Sequence, residues 1–505
     1  MNRGVSCLGA WAPSIHTVNI MPIAPVILRK LIFIAIGGMG LQFSARLVAM
    51  PVDETDLPAP SRPVGHSDSF TPSKLKQKTV ITPVAPKTPA PEKVPSHWNL
   101  EWQGWDGLHY TFYGSRPRGG RAFTDDEETP SFPSLFTDRV KLSGKIGGRV
   151  DLDAAFFVNG NGMEPTANIV ELRRWRFYTT GDAIFLVPFS YSINVMAVDN
   201  YHFVLDDVFL EFRRIPYVGN LRVGSFIPAM SLEASGSSRD ATFMEWATPI
   251  QGLAPRISSG WQFRRPIFNE RATWSLGQFA QSLGTDVGDA TPDFTRIIGR
   301  LTWLPIYTAA PENSGATNLL HLGLDLNYLH SGNASIRYRS RPESHAAPFL
   351  ADTGDIHAQN MESFGVEAAW VDGPWSAQGE LLGNFVTGET DHSFYGYYLY
   401  GSYFWTGESR FYDTSRGVFG RLQPKRSFSF AEEGMGALET AVRFSYLNMD
   451  SKPINGGVLQ SVTVGVNWYL HSNSKIRFNY VFAHASGGPQ PGDLNIFQTR
   501  FEFDF

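Results

Sequence analysis

The chain has 505 residues, a formal net charge of -5 and a hydrophobic content of 42%. With a mean hydropathy of -0.18, this composition excludes a bundle of membrane-spanning helices, and the mild charge does not suggest nucleic acid or a polybasic membrane contact. Aromatic residues make up 13% of the chain, with 48 glycines and 13 tryptophans, which is typical of amphipathic strands with aromatic girdles and many turns.

The N-terminal segment, residues 1–49, has the features of a signal peptide. Its continuous apolar run, Leu31–Leu41, follows two basic residues and is too short to span a bilayer as a helix, but it suits the apolar region of a signal peptide. A buried strand or a lipid-proximal helix is the alternative. The basic pair lies far from the first residue, which favours Met21 as the true start. Removal of this segment would take the only cysteine, Cys7, and leave no disulfide and no thiolate metal ligand.

Residues 50–97 have the composition of a linker. Prolines recur throughout the segment with Lys, Ser and Thr between them, and bulky apolar residues are few. Such a segment cannot bury enough apolar surface to fold alone. We therefore predict an extended or disordered periplasmic linker that acts as a spacer.

From residue 98 to residue 505 the chain alternates apolar and polar residues between turns. Because successive side chains of a strand point to opposite faces, this pattern predicts all-β structure. At about 25 residues per strand with its loop, the length corresponds to about sixteen strands of a transmembrane antiparallel β-barrel with an open lumen. The clearest alternating stretches are Arg139–Phe156, Ser190–Val198, Asp207–Arg213, Leu320–Tyr328, Leu438–Tyr446, Val462–Leu470 and Ile476–Phe482.

The segments between the strands are of two kinds. Asp372-Gly373-Pro374 lies between two alternating stretches and predicts a tight hairpin. Long polar segments rich in Gly, Pro and Asp separate other strands, and they include Thr124–Pro133, Ser282–Asp293 and Arg339–Asn360. We therefore expect long loops at one end of the barrel and tight turns at the other.

The last eleven residues, Asn495–Phe505, form an amphipathic strand that ends on an aromatic residue. One face carries Phe497, Thr499, Phe501, Phe503 and Phe505, and the other carries Gln498, Arg500, Glu502 and Asp504. If the aromatic face contacts lipid, the charged face must line the lumen, because an arginine facing lipid near the midplane costs about 2–4 kcal/mol. The alternative is an edge strand of a soluble sandwich, as in a secreted all-β carbohydrate-binding protein or hydrolase.

Several stretches, in this order, resemble the phosphate-selective porin O and P family. They are Ala167–Asp182 (ANIVELRRWRFYTTGD), Asp206–Phe212, Asn220–Pro228, Glu233–Pro249 (EASGSSRDATFMEWATP), Thr406–Asp413, Gly434–Asp450 and Val462–Val481. The resemblance covers the chain from about residue 105 to residue 505. It implies a sixteen-stranded, homotrimeric outer-membrane porin whose lumen is lined with arginines and lysines that conduct phosphate or other small anions.

The resemblance also implies particular partners, and the sequence departs from the family pattern at two positions. Outer-membrane lipid would surround the barrel, and Phe505 is similar to the aromatic terminus that the outer-membrane assembly machinery recognises. Trp246 follows Glu245 where the family usually has arginine, and Leu438 stands where tryptophan is expected. The first departure leaves open how complete the series of basic residues is, so a general or cation-tolerant porin of the same fold is the alternative.

Basic residues on the polar strand faces are the candidates for anion binding. A guanidinium matches the oxygens of phosphate in a bidentate way, and each attraction must stay modest so that the ion can leave. We expect one member of each adjacent pair, Arg173-Arg174, Arg213-Arg214 and Arg264-Arg265, to point outward or lie in a loop. The predicted pore-lining residues are Arg173, Arg222, Lys141, Lys145, Arg213, Arg239, Arg256 and Arg264.

Other chemistry has weaker support in the sequence. The acidic run Asp125–Glu128 is expected to be a solvated loop, and His321 and Asp325 share a strand face but have no third metal ligand at a recognisable spacing. Asp206 and Asp207 are adjacent, so we expect them to face opposite ways, which argues against a paired-carboxylate site. No catalytic motif is present, and we predict neither an enzyme nor a cofactor or metal site.

Overall fold

The structure is a computed structural model that describes residues 97–115, 139–164, 166–184, 187–198, 202–280, 295–308, 318–332, 335–431 and 434–505. The predicted signal peptide, the linker up to residue 96 and the acidic run Asp125–Glu128 lie outside the described residues. No helix in the described part of the chain is long and apolar enough to span a membrane.

The described residues are mostly β-strand. The strands are β1 (His97–Trp102), β2 (Leu108–Ser115), β3 (Arg139–Asn159), β4 (Ile169–Ile184), β5 (Pro188–Val198), β6 (His202–Ile215), β7 (Gly219–Phe226), β8 (Ser258–Ile267), β9 (Ala272–Ala280), β10 (Thr295–Thr308), β11 (Asn318–His330), β12 (Ser335–Ile336), β13 (Arg339–Ser340), β14 (Ala351–Asp352), β15 (Ile356–Asp372), β16 (Trp375–Gly388), β17 (His392–Phe404), β18 (Tyr412–Asp413), β19 (Val418–Phe419), β20 (Ala437–Ser451), β21 (Ile454–His471), β22 (Ser474–Ser486) and β23 (Gly492–Asp504). A 3-10 turn (Gly104–Asp106) and two short helices, α1 (Leu232–Ser235) and α2 (Thr248–Leu253), complete the elements.

Sixteen of these strands close into an antiparallel barrel, which confirms the predicted fold. The ring consists of β3–β11, β15–β17 and β20–β23, each paired with its neighbour in chain order. It closes where β23 pairs with β3, with Phe501 opposite Leu152 and Asp504 opposite Arg149. Closure leaves none of the sixteen strands with an unpaired edge. A barrel surrounded by lipid requires this, because unsatisfied backbone groups would be costly there.

The closing strand β23 has the two faces that its sequence predicts. Phe497 and Phe501 are about half exposed on the outside of the barrel, whereas Arg500 and Glu502 are buried inside it. Neighbouring strands repeat this arrangement, with apolar residues outward and polar residues inward. The outer surface is therefore suited to lipid and the inner surface to charge.

Three long segments fold into the barrel. Residues 227–257, which contain α1 and α2, and the described part of residues 331–355 enter from one end. The described part of residues 405–436 enters from the end at which Phe505 lies, because β17 and β23 run in the same direction. We call this the terminal end. The expectation of only tight turns at one end was wrong for residues 405–436, because this segment supplies its own apolar residues, such as Tyr412 and Phe419, to the interior.

The inward segments fill one side of the lumen. Phe243 and Ile250 of segment 227–257 are buried in one hydrophobic cluster with Tyr398 of β17 and Leu447 of β20. Ser340 of segment 331–355 donates a hydrogen bond to the carbonyl of Thr248, which joins the two segments. The space that remains open lies beside the first strands of the barrel.

The hairpin β1–β2 precedes the barrel and pairs with β3, next to the place where β23 closes the barrel. Strand β2 pairs with β3 from Leu108 opposite Ile146 to Ser115 opposite Arg139, and β1 pairs only with β2 within the described residues. Phe505 exchanges two backbone hydrogen bonds of 3.0 Å with Gly148. Strand β2 of the hairpin therefore pairs with the N-terminal part of the same edge of β3 that pairs with β23 further along.

Candidate functional site: an arginine-lined cavity

A cavity of about 1940 Å³ lies between β3–β8 and the three inward segments. Sixteen basic side chains line it, against seven acidic ones. The basic residues are Lys145, Arg149, Arg173, Arg174, Arg176, Arg213, Arg222, Arg239, Arg256, Arg264, Arg296, Arg337, Arg339, Arg341, Arg416 and Arg421. The acidic residues are Glu171, Asp182, Asp206, Asp207, Glu211, Asp240 and Glu245. The lumen of a chain with a net negative charge is therefore strongly basic.

The structure places seven of the eight predicted residues in the lining. These are Arg173, Arg222, Lys145, Arg213, Arg239, Arg256 and Arg264. The eighth, Lys141, is near the start of β3 at the terminal end and is not part of the lining. Lys145 bonds the carboxylate of Asp106 at 2.9 Å, and this hydrogen bond lowers the pKa of Asp106.

A β-bulge turns both members of one arginine pair inward. Asp151 pairs with Arg174 and Leu152 pairs with Leu172, so Arg173 is an extra residue in β4. Arg174 then bonds Asp151 at 3.0 Å while Arg173 bonds Glu245 at 3.1 Å. The expectation that one of the two points outward was wrong, because a bulge breaks the alternation of faces.

A second bulge has the same effect on the adjacent aspartates. On β5 and β6, the register shifts between Ile193, opposite Val208, and Val195, opposite Leu205. Asp206 and Asp207 both line the cavity as a result, which contradicts the expectation that they face opposite ways. Asp206 is neutralised by Arg176 at 3.0 Å.

The other two arginine pairs follow the prediction. Arg213 and Arg264 line the cavity, and Arg213 lies 3.4 Å from Asp182. Arg214 has a φ of 58° at the end of β6, and the half-buried Arg265 donates to the carbonyl of Tyr217 in the turn between β6 and β7. Arg214 and Arg265 therefore lie at the terminal end of the barrel, where the strands end and turns begin.

Glu245 of segment 227–257 is the carboxylate at the centre of the basic cluster. It lies 2.7 Å from Arg500, 3.1 Å from Arg173 and 3.9 Å from Arg174. Burial alone would raise the pKa of Glu245, but Arg173, Arg500 and Arg174 outweigh burial and hold this pKa well below its usual value. The ionised carboxylate therefore anchors the inward segment to the wall.

Three arginines that the sequence analysis missed come from segment 331–355. Arg337, Arg339 and Arg341 line the cavity, while the residues between them, such as Tyr338, are buried. The guanidiniums of Arg339 and Arg341 lie 4.4 and 4.3 Å from the centre of the Phe349 ring. The alternating sequence RYRSR, residues 337–341, was the signal, but its last three residues fall within Arg339–Asn360, which the sequence predicts to be a long loop.

Trp246 lies in the same part of the cavity. It is half-buried against the hydrophobic core and lines the cavity directly after Glu245. The basic lining is therefore interrupted at this position by an indole, although arginines on segment 331–355 face the same space.

His321 and Asp325, the weak metal candidates, belong to a buried hydrogen-bond network. The two ring nitrogens of His321 lie 2.6 Å from the Tyr412 hydroxyl and 2.8 Å from Glu367. Arg300 bonds Glu367 at 2.8 Å and lies 3.7 Å from Asp325. Within the described residues, no three metal-ligating side chains come together, and this network instead fixes segment 405–436 to the wall.

Comparison with known proteins places these observations in context. The family model for phosphate-selective porin O and P matches residues 145–505, a range that includes every residue lining the cavity. An uncharacterized protein of Caulobacter vibrioides is 28% identical over 406 residues, which are 75% of this chain and 76% of that protein. Porin O of Pseudomonas aeruginosa is 25% identical over 425 residues, which are 73% of this chain and 90% of that porin.

Two solved structures are similar at low identity. A loop-deletion mutant of the outer-membrane protein OmpT of Vibrio cholerae has a TM-score of 0.46 and 11% identity, and the match covers 72% of this chain and 99% of that one. An anion-selective porin from Comamonas acidovorans has a TM-score of 0.43 and 14% identity, with coverages of 72% and 100%.

Proposed function

Because the chain belongs to the phosphate-selective porin O and P family and forms an outer-membrane porin channel, we propose that its lumen prefers anions such as phosphate. The observation that carries the proposal is the excess of sixteen basic over seven acidic residues in the cavity lining. Such an excess raises the local concentration of anions in the lumen and repels cations. The protein acts in this proposal as a passive channel and not as an enzyme.

The strength of the field suits passage better than tight binding. In wet surroundings one pair of unit charges at contact contributes only about 1 kcal/mol, so several cations in sequence are needed to attract an anion. Arg213 is more than half exposed, and Lys145 and Arg239 keep partial contact with solvent. An anion can therefore pass from one such group to the next without being trapped.

We also propose that the protein forms a homotrimer in the outer membrane. Support comes from the family and from the apolar outer faces of β3 and β4, where Phe156, Val158 and Val170 are more than half exposed. Neighbouring subunits or lipid could cover these faces. Migration of unheated and heated samples on a denaturing gel tests this, with a trimer band expected only in the unheated sample.

The reversal potential of single channels in a potassium chloride gradient tests the anion preference. We expect the sign that corresponds to chloride as the more permeant ion, with a further shift when phosphate replaces chloride. A potential of the opposite sign would show a cation-preferring porin and overturn the proposal. Heat-modifiable migration of the same preparation verifies that the barrel is folded.

A further inference from the structure

A small side pocket opens from the main cavity between the barrel wall and two inward segments. Its volume is about 40 Å³, and it shares Arg222, Arg264, Arg416 and Ser235 with the lining of the main cavity. The wall contributes Arg222 from β7 and Arg264 from β8, while Ser235 comes from segment 227–257 and Arg416 from segment 405–436. Access is therefore from the lumen.

Positive charge in the side pocket is only partly compensated. Glu211 accepts from Arg222 at 2.7 Å and lies 3.4 Å from Arg264, so one carboxylate serves two guanidiniums. Arg416 forms no ion pair with any carboxylate in the part of the chain that the structure describes. Arg300 also lines the side pocket but is paired with Glu367 at 2.8 Å. Arg222, Arg264 and Arg416 thus share one bonded carboxylate, and the side pocket attracts an anion.

Neutral hydrogen-bond donors complete the lining. The Ser235 hydroxyl oxygen is buried and has no hydrogen-bond partner among the described residues. Ser275 of β9 and Thr302 of β10 add two further hydroxyl groups. A buried hydroxyl without a partner costs free energy, so an acceptor in the side pocket would relieve that cost.

The arginines are held in place before any ligand binds. The guanidinium of Arg222 lies 3.9 Å from the centre of the Phe209 ring and 5.3 Å from that of Phe226. Near Arg416, the wall residue Arg300 donates to the carbonyl of Gly417 at 2.9 Å. Gly417 has a φ of +67°, and a Cβ there would lie 2.8 Å from the Thr302 hydroxyl oxygen, so only glycine allows this approach.

A second hydrogen bond joins the turn that carries Arg416 to the barrel wall. The hydroxyl of Thr273 in β9 donates to the carbonyl of Thr414 at 3.0 Å. The turn that carries Arg416 is thus bonded to the wall on both sides of that residue. Pre-organised donors lower the cost of ordering on binding, which favours a defined site over a diffuse positive field.

The size of the side pocket limits the ligand. A volume of 40 Å³ is enough for about three water molecules, which is the scale of a single tetrahedral oxyanion and too small for an extended organic anion. Guanidiniums bind such oxyanions through two parallel hydrogen bonds, and hydroxyl groups donate to the remaining oxygens.

We propose that the side pocket binds one tetrahedral oxyanion of the phosphate class beside the conduction path, with Arg416 as the residue that decides its affinity. The inference rests on the proposed anion preference of the lumen. It assigns to segment 405–436 a role in ligand binding in addition to its packing.

Isothermal titration calorimetry of the detergent-solubilised full chain with inorganic phosphate tests the proposal. We expect a saturable site whose dissociation constant increases about tenfold in Arg416→Gln, because one charged hydrogen-bond donor is lost. Arg421→Gln is the matched control, since Arg421 lies on the same segment and lines the main cavity but not the side pocket. Ser235→Ala should weaken binding by a smaller factor.

Equal affinities for phosphate in Arg416→Gln and Arg421→Gln would overturn the proposed site. The absence of any saturable heat in the unchanged protein would also overturn it, because the side pocket would then hold only water. The titration is repeated with sulfate. Binding of sulfate as well as phosphate would support a site for any tetrahedral dianion, and binding of phosphate alone would support a site that is specific for phosphate. The reversal potential is measured in parallel. A cation-preferring channel would contradict the proposed function, whereas an anion-preferring channel with no side-pocket binding would contradict only this inference.

Discussion

On the β3–β8 side of the lumen, arginines such as Arg213 and Arg339 face an open cavity, whereas on the β20–β23 side Arg443, Arg477 and Arg500 are fully buried. The buried arginines are held by carboxylates and by backbone carbonyls of segment 227–257, as when Arg443 bonds Glu343 at 2.7 Å. Arg213, Arg443, Arg477 and Arg500 all lie on the inward face of a barrel strand. Whether such a residue attracts ions or holds the structure together therefore depends on what the inward segments cover.

Each fully buried arginine of the packed half lies beside a carboxylate. Arg443 contacts Glu233 and Glu343, and Arg477 contacts Glu502. A buried guanidinium without a partner would be very costly, so each one in this half has a nearby carboxylate. The arginines that face the open cavity can be solvated and need fewer carboxylates, so the excess of positive charge in its lining remains available to a passing anion.

The largest effect should come from removing a buried arginine of the packed half. Arg443→Met leaves Glu343 and Glu233 buried with no cation, and we expect a loss of about 3–5 kcal/mol in the free energy of unfolding. Urea unfolding of the detergent-solubilised barrel measures it. The control is Arg213→Met, whose exposed pair with Asp182 should be worth about 1 kcal/mol or less. Equal losses in the two variants would contradict the division of the lumen into two halves.

Glu245→Gln tests the boundary between the halves. The change keeps the shape but removes the anion shared by Arg173, Arg174 and Arg500, and we expect a loss of about 2 kcal/mol at neutral pH together with stronger anion preference. Because the folded-state pKa of Glu245 is lowered, its stabilisation is present above the unfolded value near 4.5 and is lost as pH falls through the folded value.

The stability difference between the unchanged protein and Glu245→Gln should therefore stay constant from pH 8 to about pH 5 and shrink only in more acidic solution. Unfolding midpoints measured across this range check the expectation. A difference that disappears already near pH 6 would show that the carboxylate is not held ionised by the arginines.

Charge reversal in the open half should change selectivity more than stability. Arg173→Glu and Arg222→Glu are each expected to weaken the anion preference, because each turns a cation of the cavity lining into an anion. Reversal potentials measure the effect. Lys141→Glu makes the same charge change outside the lining, so its shift should be clearly smaller. If neither arginine variant differs from the unchanged protein, these residues do not contribute to selectivity.

The smallest effect is expected from Trp246→Arg. It adds one cation to a lining that already holds sixteen, so the anion preference should increase only slightly. Trp246→Phe keeps the aromatic character and serves as the control for the loss of the indole. A large shift in Trp246→Arg alone would mean that position 246 dominates the field of the lumen.

The sequence was sufficient to predict which side chains of a regular strand face the lumen. In β23 the alternation placed Arg500, Glu502 and Asp504 inside, and the structure confirms it. The same rule failed at Arg173-Arg174 and at Asp206-Asp207, because one extra residue in a strand shifts the alternation without any change in composition. A bulge is set by the pairing with the neighbouring strand, and that pairing cannot be observed in one segment alone.

The inward folding of the loops was also beyond the sequence. Segments 331–355 and 405–436 are polar and rich in turn-forming residues, which is equally typical of a loop in solvent. Their burial depends on partners that are distant in the chain, such as Glu343 with Arg443 and Gly417 with Arg300. Arg416 and the arginines at positions 337, 339 and 341 therefore entered the site only through the structure.

The hairpin β1–β2 limits how far the closing strand β23 can extend along β3. Phe505 ends opposite Gly148 of β3, and Leu108 of β2 begins opposite Ile146 on the same edge. If β23 slid two residues further along β3, its last residue would occupy the place of Gly107 and Leu108, so the closing strand cannot advance beyond its observed alignment without a collision. The first described residues of the chain thus limit how far the last ones can travel when the two ends of the sheet meet.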